Sequence, residues 1–235
     1  MKKKKILLII PAYNESENIL RVCKGIKACD KNLDYIVIND CSTDNTEEIC
    51  RKNKLPHINL VHNLGIGGAV QTGYKYAKEH EYDIAIQFDG DGQHDVNYVK
   101  NLVEPLINGE CDMVIGSRFI EEKKSDFQST FARRVGINMI SWLMKLCTGK
   151  KITDTTSGFR ACNKEIINYF VNDYPIEYPE PVSTVGLLKH KYRIKEVPVE
   201  MKERIAGTSS IKTWKTAYYM INVMLSIIVI SMRRY

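Results

Sequence analysis

The stretch IAIQFDGDGQHD, residues 84–95, sets an apolar run directly against three acidic residues and two glycines. Asp89 and Asp91 stand two positions apart in this glycine-punctuated turn, so both carboxylates can face one point. Hard divalent cations such as Mg²⁺ and Mn²⁺ take oxygen ligands of this kind, and Gln93 can add a neutral one. An acidic surface turn before a helix capped by Asp95 has the same composition. The pattern alone leaves both interpretations open.

The turn does not match an EF-hand calcium loop. The sixth position of such a loop would be His94 instead of glycine, and the twelfth would be Lys100 instead of glutamate. A cation held by the paired aspartates would share its coordination with a diphosphate, and Gly90 would let the backbone approach closely. The turn is therefore a candidate site for a phosphate-bearing ligand.

Short β-rich runs separated by helical patterns predict the elements that position this turn. The alternation implies βαβ units, and hence an α/β fold with a mostly parallel sheet flanked by helices. Ligands of such sheets bind beyond the carboxyl ends of the strands. Four of these ends are followed by PAYNE, NDCSTDNT, NLGIGGA and DGDGQHD. The predicted strands are residues 6–10, 35–39, 58–62, 84–88 and 112–117.

The second half of the chain carries a different pattern. Residues 126–147 form an amphipathic helix pattern with basic residues and Trp142. The apolar run from Ala217 to Met232 has sixteen residues, fewer than the ~20 that cross a bilayer. We therefore predict one main domain, residues 1–212, and a C-terminal helix, residues 213–235, that lies in the membrane interface or on a membrane partner. A buried core helix is the alternative.

Composition restricts the class of partner and the compartment. The net charge of +6 is modest and the basic residues are spread out, which favours a phosphate-bearing ligand or a lipid surface over nucleic acid. The seven cysteines form no CxxC pair, which argues against a zinc knuckle or a disulfide scaffold and for a reducing cytoplasm. The N-terminal apolar run, Ile6 to Ile10, is short and predicts a first buried strand instead of a signal peptide.

Several basic residues in the second half lie beside small residues. Arg118 follows a predicted strand, Arg160 lies in SGFR, and Arg204 and Lys212 flank Gly207. Single arginines of this kind are usually solvated surface charges. Together with an acidic metal turn they would clamp phosphate oxygens, as departure of a nucleoside diphosphate requires.

Two further strand ends have both a functional and a structural interpretation. Asp40, at the end of the second strand, is a candidate for contact with a nucleobase or ribose, whereas Ser42 to Asp44 could cap a helix. The glycine-rich NLGIGGAVQTGYKYA is neither GxGxxG nor a Walker sequence, and tight packing of helix against strand explains it best. The first strand is followed by PAYNESEN instead of a glycine-rich sequence, which argues against a nicotinamide dehydrogenase.

The order of the motifs along the chain resembles that of the family 2 glycosyltransferases of GT-A fold, a Rossmann-like architecture. The motifs are PAYNE, NDCSTDNT, GIGGA, DGDGQH, GSRF, SGFR and RIAGTSSIK. Within that family they resemble the polyprenol- and dolichol-phosphate sugar transferase branch, over about 200 residues. The resemblance implies a metal-dependent, inverting transfer of a sugar from a nucleotide diphosphate donor, by direct attack on the anomeric carbon.

The resemblance also implies roles for individual residues. Asn39 stands where the family commonly has aspartate, and Gly90 where the branch often has alanine. Neither change removes a metal carboxylate. The implied ligands of Mg²⁺ or Mn²⁺ are Asp89, Asp91 and Gln93. The implied catalytic residues are Asp91, Arg118, Arg204 and Glu180. The implied substrate-binding residues are Pro11, Tyr13, Glu15, Ile38, Asp40, Gly68, Asp89, Gly90, Arg160 and Lys212.

The segment from Glu177 to Ile211 is similar to small bacterial transferases that act with a separate small membrane protein. Some of these make undecaprenyl-phosphate-linked N-acetylglucosamine for a cell-wall polysaccharide. The similarity implies UDP-N-acetylglucosamine as donor and peripheral association with the cytoplasmic face of the membrane, with a homo-oligomer also possible. Those relatives often read YPEPE, whereas Val182 replaces the second acid here, which leaves the sugar and the acceptor open.

The acceptor decides whether a base is needed. A polyprenyl phosphate is already ionised near neutral pH, whereas a glycan hydroxyl must lose a proton to a carboxylate. Glu180 and Glu177 are the candidates, with Asp154 a weaker one. The basic amphipathic helix and apolar tail favour the lipid phosphate.

Two other classes of protein remain as alternatives. A nucleotidyltransferase would carry a glycine-rich, lysine-containing signature after its first strand, and this chain does not. A non-catalytic membrane adaptor would have no need of Asp89, Asp91 and Arg204. Both alternatives are therefore less favoured than a glycosyltransferase.

Overall fold

The computed structural model describes residues 4–31, 33–120, 131–201 and 213–233, with side chains from 134 and from 219 in the last two ranges. Its strands are β1 (Ile6–Ala12), β2 (Asp34–Asn39), β3 (His57–Asn59), β4 (Ile84–Gln87), β5 (Met113–Ser117), β6 (Arg160–Asn163) and β7 (Ile194–Pro198). Its helices are α1 (Ile19–Cys29), α2 (Thr46–Lys52), α3 (Gly65–Glu79), α4 (Val99–Ile107), α5 (Phe131–Thr148), α6 (Lys164–Asn172), α7 (Pro179–Lys189) and α8 (Thr213–Met232), with a short 3₁₀ turn at Val96–Tyr98.

The strands form one sheet in the order β3-β2-β1-β4-β6-β5-β7. All neighbouring pairs are parallel except those of β6, which runs antiparallel to β4 and β5. The predicted α/β fold with a mostly parallel sheet is confirmed. Because β6 is reversed, its first residue, Arg160, pairs with Gln87 at the end of β4. The residues just before β6 therefore lie at the carboxyl edge of the parallel strands.

The predicted strands differ from the observed ones mainly at their ends. β1 extends beyond the predicted 6–10 because Pro11 and Ala12 still pair with β2. β3 is shorter than the predicted 58–62, since the chain leaves the sheet after Asn59 pairs with Asn39. The glycine-rich segment forms the start of a helix, and Gly65 is the first residue of α3.

The sheet buries apolar side chains on both faces, as parallel sheets do. Along β1, Leu7 and Ile9 belong to one apolar cluster, which includes residues of α3 and α5 to α8. Leu8 and Ile10 belong to the other, which includes residues of α1 and α4. The glycines of α3 bring this helix close to its neighbours: a methyl group at Gly73 would overlap the side chain of Ile9. Packing of helix against strand, expected for the glycine-rich segment, is confirmed at this position.

The C-terminal helix α8 has one buried face. Val223, Ile227 and Ile230 belong to the same cluster as Leu7 and Ile9. The core-helix alternative thus describes this face, while the opposite face stays exposed. No helix in the described ranges is long and apolar enough to span a membrane.

We predict that Gly73→Ala lowers the free energy of unfolding by about 1–3 kcal/mol, because the added methyl overpacks the contact with Ile9. The matched control is Gly25→Ala in the middle of α1, where an added Cβ meets nothing within 4 Å. That change should stabilise the protein by about 0.4–1 kcal/mol, since alanine is the better helix former. Urea unfolding measures both, and a shift of the same sign in the two variants contradicts the packing argument.

Candidate active site

A cleft opens where β1, β2 and β4 end, and most of the predicted donor-binding residues line it. Three elements complete the lining: the first turns of α3, the segment before β6 and the start of α7. The predicted residues in the lining are Pro11, Tyr13, Glu15, Asp40, Asp89, Gly90, Asp91 and Glu180. The sequence analysis had assigned no role to Gln87, Thr156, Gly158 or Ile66, which also line the cleft.

The loops after β1 and β2 are bonded to each other. Asn14, at φ 56°, donates its main-chain N–H to Ser42 Oγ at 3.0 Å and accepts the Thr43 N–H on Oδ1 at 2.8 Å. Asp44 accepts the N–H of Ser16 at 3.1 Å and that of Thr46, the first residue of α2, at 2.9 Å. The segment Ser42 to Asp44 therefore lies just before α2, bonds its first residue through Asp44, and fixes the loop that carries Tyr13 and Glu15.

Asp40 is buried at the end of β2, where its carboxylate accepts the Leu64 N–H at 2.7 Å. The preceding Asn39 donates its amide to Asn59 Oδ1 at 2.9 Å and accepts the Ser42 hydroxyl at 2.5 Å. Asn39, which stands where the family commonly has aspartate, thus forms an amide–amide hydrogen bond with Asn59 of the neighbouring strand. Asp40 remains the carboxylate at this end of the cleft.

The acidic turn brings two carboxylates into the cleft. Asp91 accepts the Gln93 N–H on Oδ1 at 2.9 Å, and Asp89 lies beside it at the end of β4. Across the described part of the chain, no three His, Cys, Asp or Glu side chains form a metal site by themselves. Two carboxylates suit a cation such as Mg²⁺, which takes its remaining ligands from phosphates and water. The two carboxylates therefore fit a divalent cation that also binds a diphosphate.

His94, which the sequence analysis left without a function, is buried behind this turn. Its Nδ1 accepts the main-chain N–H of Asp89 at 3.0 Å. Burial lowers the pKa of His94 to about 4, because the apolar surroundings disfavour the imidazolium ion. The imidazole is therefore neutral near pH 7. The only sequence signal for His94 was its place in the acidic turn, three residues after Asp91.

Arg118 is held by the protein instead of projecting into the cleft. Its Nε and Nη2 donate to the two carboxylate oxygens of Asp154 at 2.6 and 2.7 Å, and Nη2 also donates to Thr156 Oγ1 at 3.1 Å. Both side chains are buried. This pairing disfavours Asp154, which was already the weakest of the three candidate bases. Arg118 holds the segment that carries Thr156 into the cleft.

Arg160 is buried too, and its guanidinium bonds to protein oxygens. Nε donates to the Ser157 carbonyl at 2.6 Å, and Nη1 donates to the Glu180 carbonyl at 2.7 Å and Thr184 Oγ1 at 2.9 Å. Arg160 does not line the cleft, and its contact with substrate stays a prediction. Arg160 fixes the first turn of α7, and with it Glu180, at the cleft.

Glu180 faces the cleft from the start of α7 and accepts the Gln87 amide at 3.3 Å. Burial raises the pKa of Glu180 above its ordinary value; the Arg160 guanidinium opposes this and the nearby Asp89 carboxylate adds to it. Glu177, the other candidate base, is exposed outside the lining of the cleft.

Other predicted residues lie away from the cleft or outside the described residues. Ile38 is buried in the core of the sheet, and Gly68 is buried in α3 beside Leu64. Gln93 flanks the acidic turn without lining the cleft. Arg204 and Lys212 lie outside the described residues.

A cleft beyond the carboxyl ends of parallel strands places the protein in the class of open α/β folds that bind their ligands at this edge of the sheet. The model of the family "Glycosyl transferase family 2" matches residues 7–170. The chain belongs to this family, as the sequence resemblance implied, and is a glycosyltransferase.

Among curated relatives, the chain is 34% identical to the UDP-N-acetylglucosamine–dolichyl-phosphate N-acetylglucosaminyltransferase of Methanococcus voltae, over 85% of this chain and 86% of that one. It is 28% identical to the undecaprenyl-phosphate mannosyltransferase of Micrococcus luteus, over 93% and 92%. Glucosyl-3-phosphoglycerate synthase of Mycobacterium tuberculosis, solved with Mn²⁺, UDP-glucose and phosphoglyceric acid, has the same fold. It matches with a TM-score of 0.72 and 18% identity over 99% of this chain and 81% of that one.

Because the Arg118–Asp154 pair is buried, we predict that breaking it destabilises the fold, whatever its effect on ligand binding. Asp154→Asn should lower the free energy of unfolding by about 3–5 kcal/mol, because it leaves a buried guanidinium without its counter-charge. Removing both charges in Arg118→Met/Asp154→Leu should cost less than the sum of the single changes.

The matched control for this prediction is Glu110→Gln, which removes an exposed ion pair with Lys195 at 2.5 Å. Its effect should stay within about 1 kcal/mol. Urea unfolding measures all the variants. A stable Asp154→Asn protein that has lost transferase activity would show that the pair acts on ligand instead.

Proposed function

We propose that the protein transfers a sugar from a nucleotide diphosphate donor to a polyprenyl phosphate, with inversion at the anomeric carbon. The observation that carries this proposal is the position of Asp89 and Asp91 in the same cleft as Tyr13, Glu15 and Asp40. The first pair suits a cation and its diphosphate, and the other three suit a nucleoside. The names of the relatives from Methanococcus voltae and Micrococcus luteus support the lipid-phosphate acceptor.

A divalent cation, Mg²⁺ or Mn²⁺, would be held by Asp89 and Asp91. When bound, it would offset the negative charge that develops on the departing diphosphate. The protein contributes position: the loops bonded through Asn14 and Asp44 hold the nucleoside end, and Arg160 holds Glu180 at the sugar end. Arg204 and Lys212 remain proposed contacts for donor or acceptor phosphate.

The acceptor phosphate is an anionic nucleophile that needs no base. It must be brought against the anomeric carbon on the side opposite the leaving diphosphate, so the site acts mainly by orientation and electrostatics. A glycan hydroxyl is the second candidate acceptor. The raised pKa of Glu180 favours it, since a general base works best with a pKa near the operating pH.

We further propose N-acetylglucosamine as the sugar, UDP as the carrier and undecaprenyl phosphate as the acceptor. The 34% identity to an enzyme whose name specifies UDP-N-acetylglucosamine supports this choice. Val182, which replaces an acid common in small bacterial relatives, is buried in the core instead of lining the cleft. The substitution therefore leaves the described cleft unchanged.

The direct test incubates the purified protein with Mn²⁺, undecaprenyl phosphate and labelled UDP-N-acetylglucosamine, or labelled UDP-glucose or GDP-mannose. Label should enter the organic phase from UDP-N-acetylglucosamine and should be absent with Asp91→Ala, which removes a cation ligand. If no label enters the organic phase but UDP-N-acetylglucosamine is hydrolysed in a Mn²⁺-dependent way, the hydroxyl acceptor replaces the lipid phosphate. No product from any donor contradicts the proposal.

An exposed apolar surface supports association with a membrane. Val135, Met139, Trp142 and Leu146 form one stripe along α5, at helical spacing. Ile221, Leu225, Ile228, Val229 and Met232 form a second stripe along α8. The helices pack closely, since Gly136 of α5 lies against Met220 of α8. We call the two stripes together the α5/α8 face.

The charges around the α5/α8 face favour an anionic bilayer as its occupant. Neither helix contains an acidic residue, and Arg134, Lys145 and Arg233 are exposed. Each basic residue near an anionic membrane contributes about 1 kcal/mol of attraction. Tyr219 of α8 packs on Tyr178 at 4.9 Å between ring centroids, two residues before Glu180. A protein seated on the cytoplasmic face of the membrane through this surface would have its cleft beside the lipid.

We predict that Trp142→Glu and Leu225→Glu each release the protein from vesicles that contain phosphatidylglycerol, as measured by flotation. Ile107→Glu is the matched control, because Ile107 is exposed on α4, away from the α5/α8 face. All three variants should keep transferase activity toward a short-chain, water-soluble polyprenyl phosphate.

Unchanged flotation of both face variants contradicts the membrane assignment. If the wild type floats only with a small membrane protein present, that protein is the occupant of the face. A face buried between copies, detected as a dimer that Leu225→Glu dissociates, assigns it to a homo-oligomer.

A further inference from the structure

Thr156 is a half-buried residue of the cleft lining, in the segment that precedes β6. The same segment lies directly against the acidic turn two residues later. A Cβ added at Gly158 would lie 3.1 and 3.2 Å from the two carboxylate oxygens of Asp89. Thr156 therefore belongs to the wall of the cleft that borders the proposed cation site.

The hydroxyl of Thr156 is an acceptor toward the protein. Arg118 Nη2 donates to Thr156 Oγ1 at 3.1 Å, and a threonine hydroxyl has one proton to donate besides its acceptor lone pairs. That proton must be directed away from the guanidinium, because the hydrogens of the two groups repel each other. No group among the described residues accepts it. The hydroxyl thus retains one donor for a ligand.

Two arginines hold the segment, so the hydroxyl has a fixed position. Arg118 bonds to the side chain of Thr156 and is itself fixed by its buried ion pair. Arg160 donates to the carbonyl of Thr155 at 3.3 Å and to that of Ser157 at 2.6 Å, one on either side of Thr156. A donor that is already oriented binds a ligand more strongly, since less freedom is lost when the ligand arrives.

The chemistry of this donor favours a phosphate oxygen as its partner. The bond from Arg118 polarises the hydroxyl and strengthens the bond that the hydroxyl can donate. Hydrogen bonds to an anionic oxygen are roughly twice as strong as those to a neutral one. The cleft is also lined by carboxylates, which repel an anionic ligand, and a donor on its wall offsets part of that repulsion.

We propose that Thr156 is a further substrate-binding residue, whose hydroxyl donates a hydrogen bond to a phosphate oxygen. This inference rests on the proposed function, which brings two phosphate-bearing substrates to the cleft. The oxygen belongs either to the donor diphosphate or to the polyprenyl phosphate. The two sources differ in which substrate loses affinity when the hydroxyl is removed.

The test compares Thr156→Val, which keeps the shape of the side chain without the hydroxyl, with Thr156→Ser, which retains the hydroxyl. Calorimetric titration measures the affinity for UDP in Mn²⁺, and transfer assays measure the KM for a short-chain polyprenyl phosphate. We expect Thr156→Val to weaken one of the two about 10–100-fold, the loss typical of a hydrogen bond to a charged group. Thr156→Ser should recover most of that loss.

The matched control for structural damage is Thr153→Val. Thr153 lies in the same segment but outside the lining of the cleft, and its hydroxyl donates to Glu196 at 2.7 Å. Both valine variants should lower the melting temperature, because each removes one hydrogen bond to a charged side chain. Only Thr156→Val should lose affinity for a substrate. An equal loss in Thr153→Val overturns the inference, since binding would then depend on the fold of the segment.

The two measurements distinguish the sources of the phosphate oxygen. A fall in UDP affinity assigns the contact to the donor diphosphate. A raised KM for the polyprenyl phosphate, at unchanged UDP affinity, assigns it to the acceptor. Unchanged values of both in Thr156→Val overturn the inference, as does a Thr156→Ser protein that binds no better than Thr156→Val.

A second variant covers the case in which Thr156→Val does not fold. Thr156→Cys then takes its place, because a thiol has a similar size and is a weak donor. Equal affinities of the Cys and Ser variants for both substrates overturn the inference. A wild-type protein that neither binds UDP in Mn²⁺ nor transfers a sugar contradicts the proposed function itself, which keeps the two failures distinct.

Discussion

The gathering of carboxylates at the end of β4 is the constraint on which the rest of the site depends. Asp89 and Asp91 share a cleft with Glu180, and this proximity helps to raise the pKa of Glu180. Negative charges in a partly buried cleft repel one another unless a cation or hydrogen-bond donors offset them. The described arginines at the site, Arg118 and Arg160, are bonded to protein groups. Paired carboxylates such as Asp89 and Asp91 suit a cation that arrives with an anionic ligand.

The topology of the sheet makes this concentration of charge possible. Parallel strands bring the ends of β1, β2 and β4 to one edge, and the reversed β6 adds the residues that precede it to the same edge. Gly158 and Phe159 reach Asp89 and His94 only because of that reversal. Hydrogen bonds between the loops then fix them, so that the polar residues are held in place.

Features set by local sequence were predictable, and features set by tertiary contacts were not. Apolar runs and turn residues predicted the strands and the acidic turn, because burial and backbone geometry act locally there. Asp154, the partner of Arg118, lies 36 residues along the chain, and Glu180 and Thr184, two partners of Arg160, lie 20 and 24 residues along it. No local pattern specifies these contacts. The packing of Phe88 and Phe159 against His94 and the reversal of β6 were not predicted, for the same reason. α8 combines the buried face of a core helix with an exposed apolar stripe, and its contact with a membrane or a partner stays a prediction.

The most direct test of the central claim is calorimetric titration of the wild-type protein with UDP, in Mn²⁺ and again in EDTA. The carboxylates of the cleft should repel the diphosphate unless a cation lies between them, so we predict binding in Mn²⁺ and its loss in EDTA. Return of binding when Mg²⁺ or Mn²⁺ replaces the EDTA would complete the expected result. UDP binding of equal affinity in both solutions would contradict the account, because the acidic turn would then have no part in holding the donor.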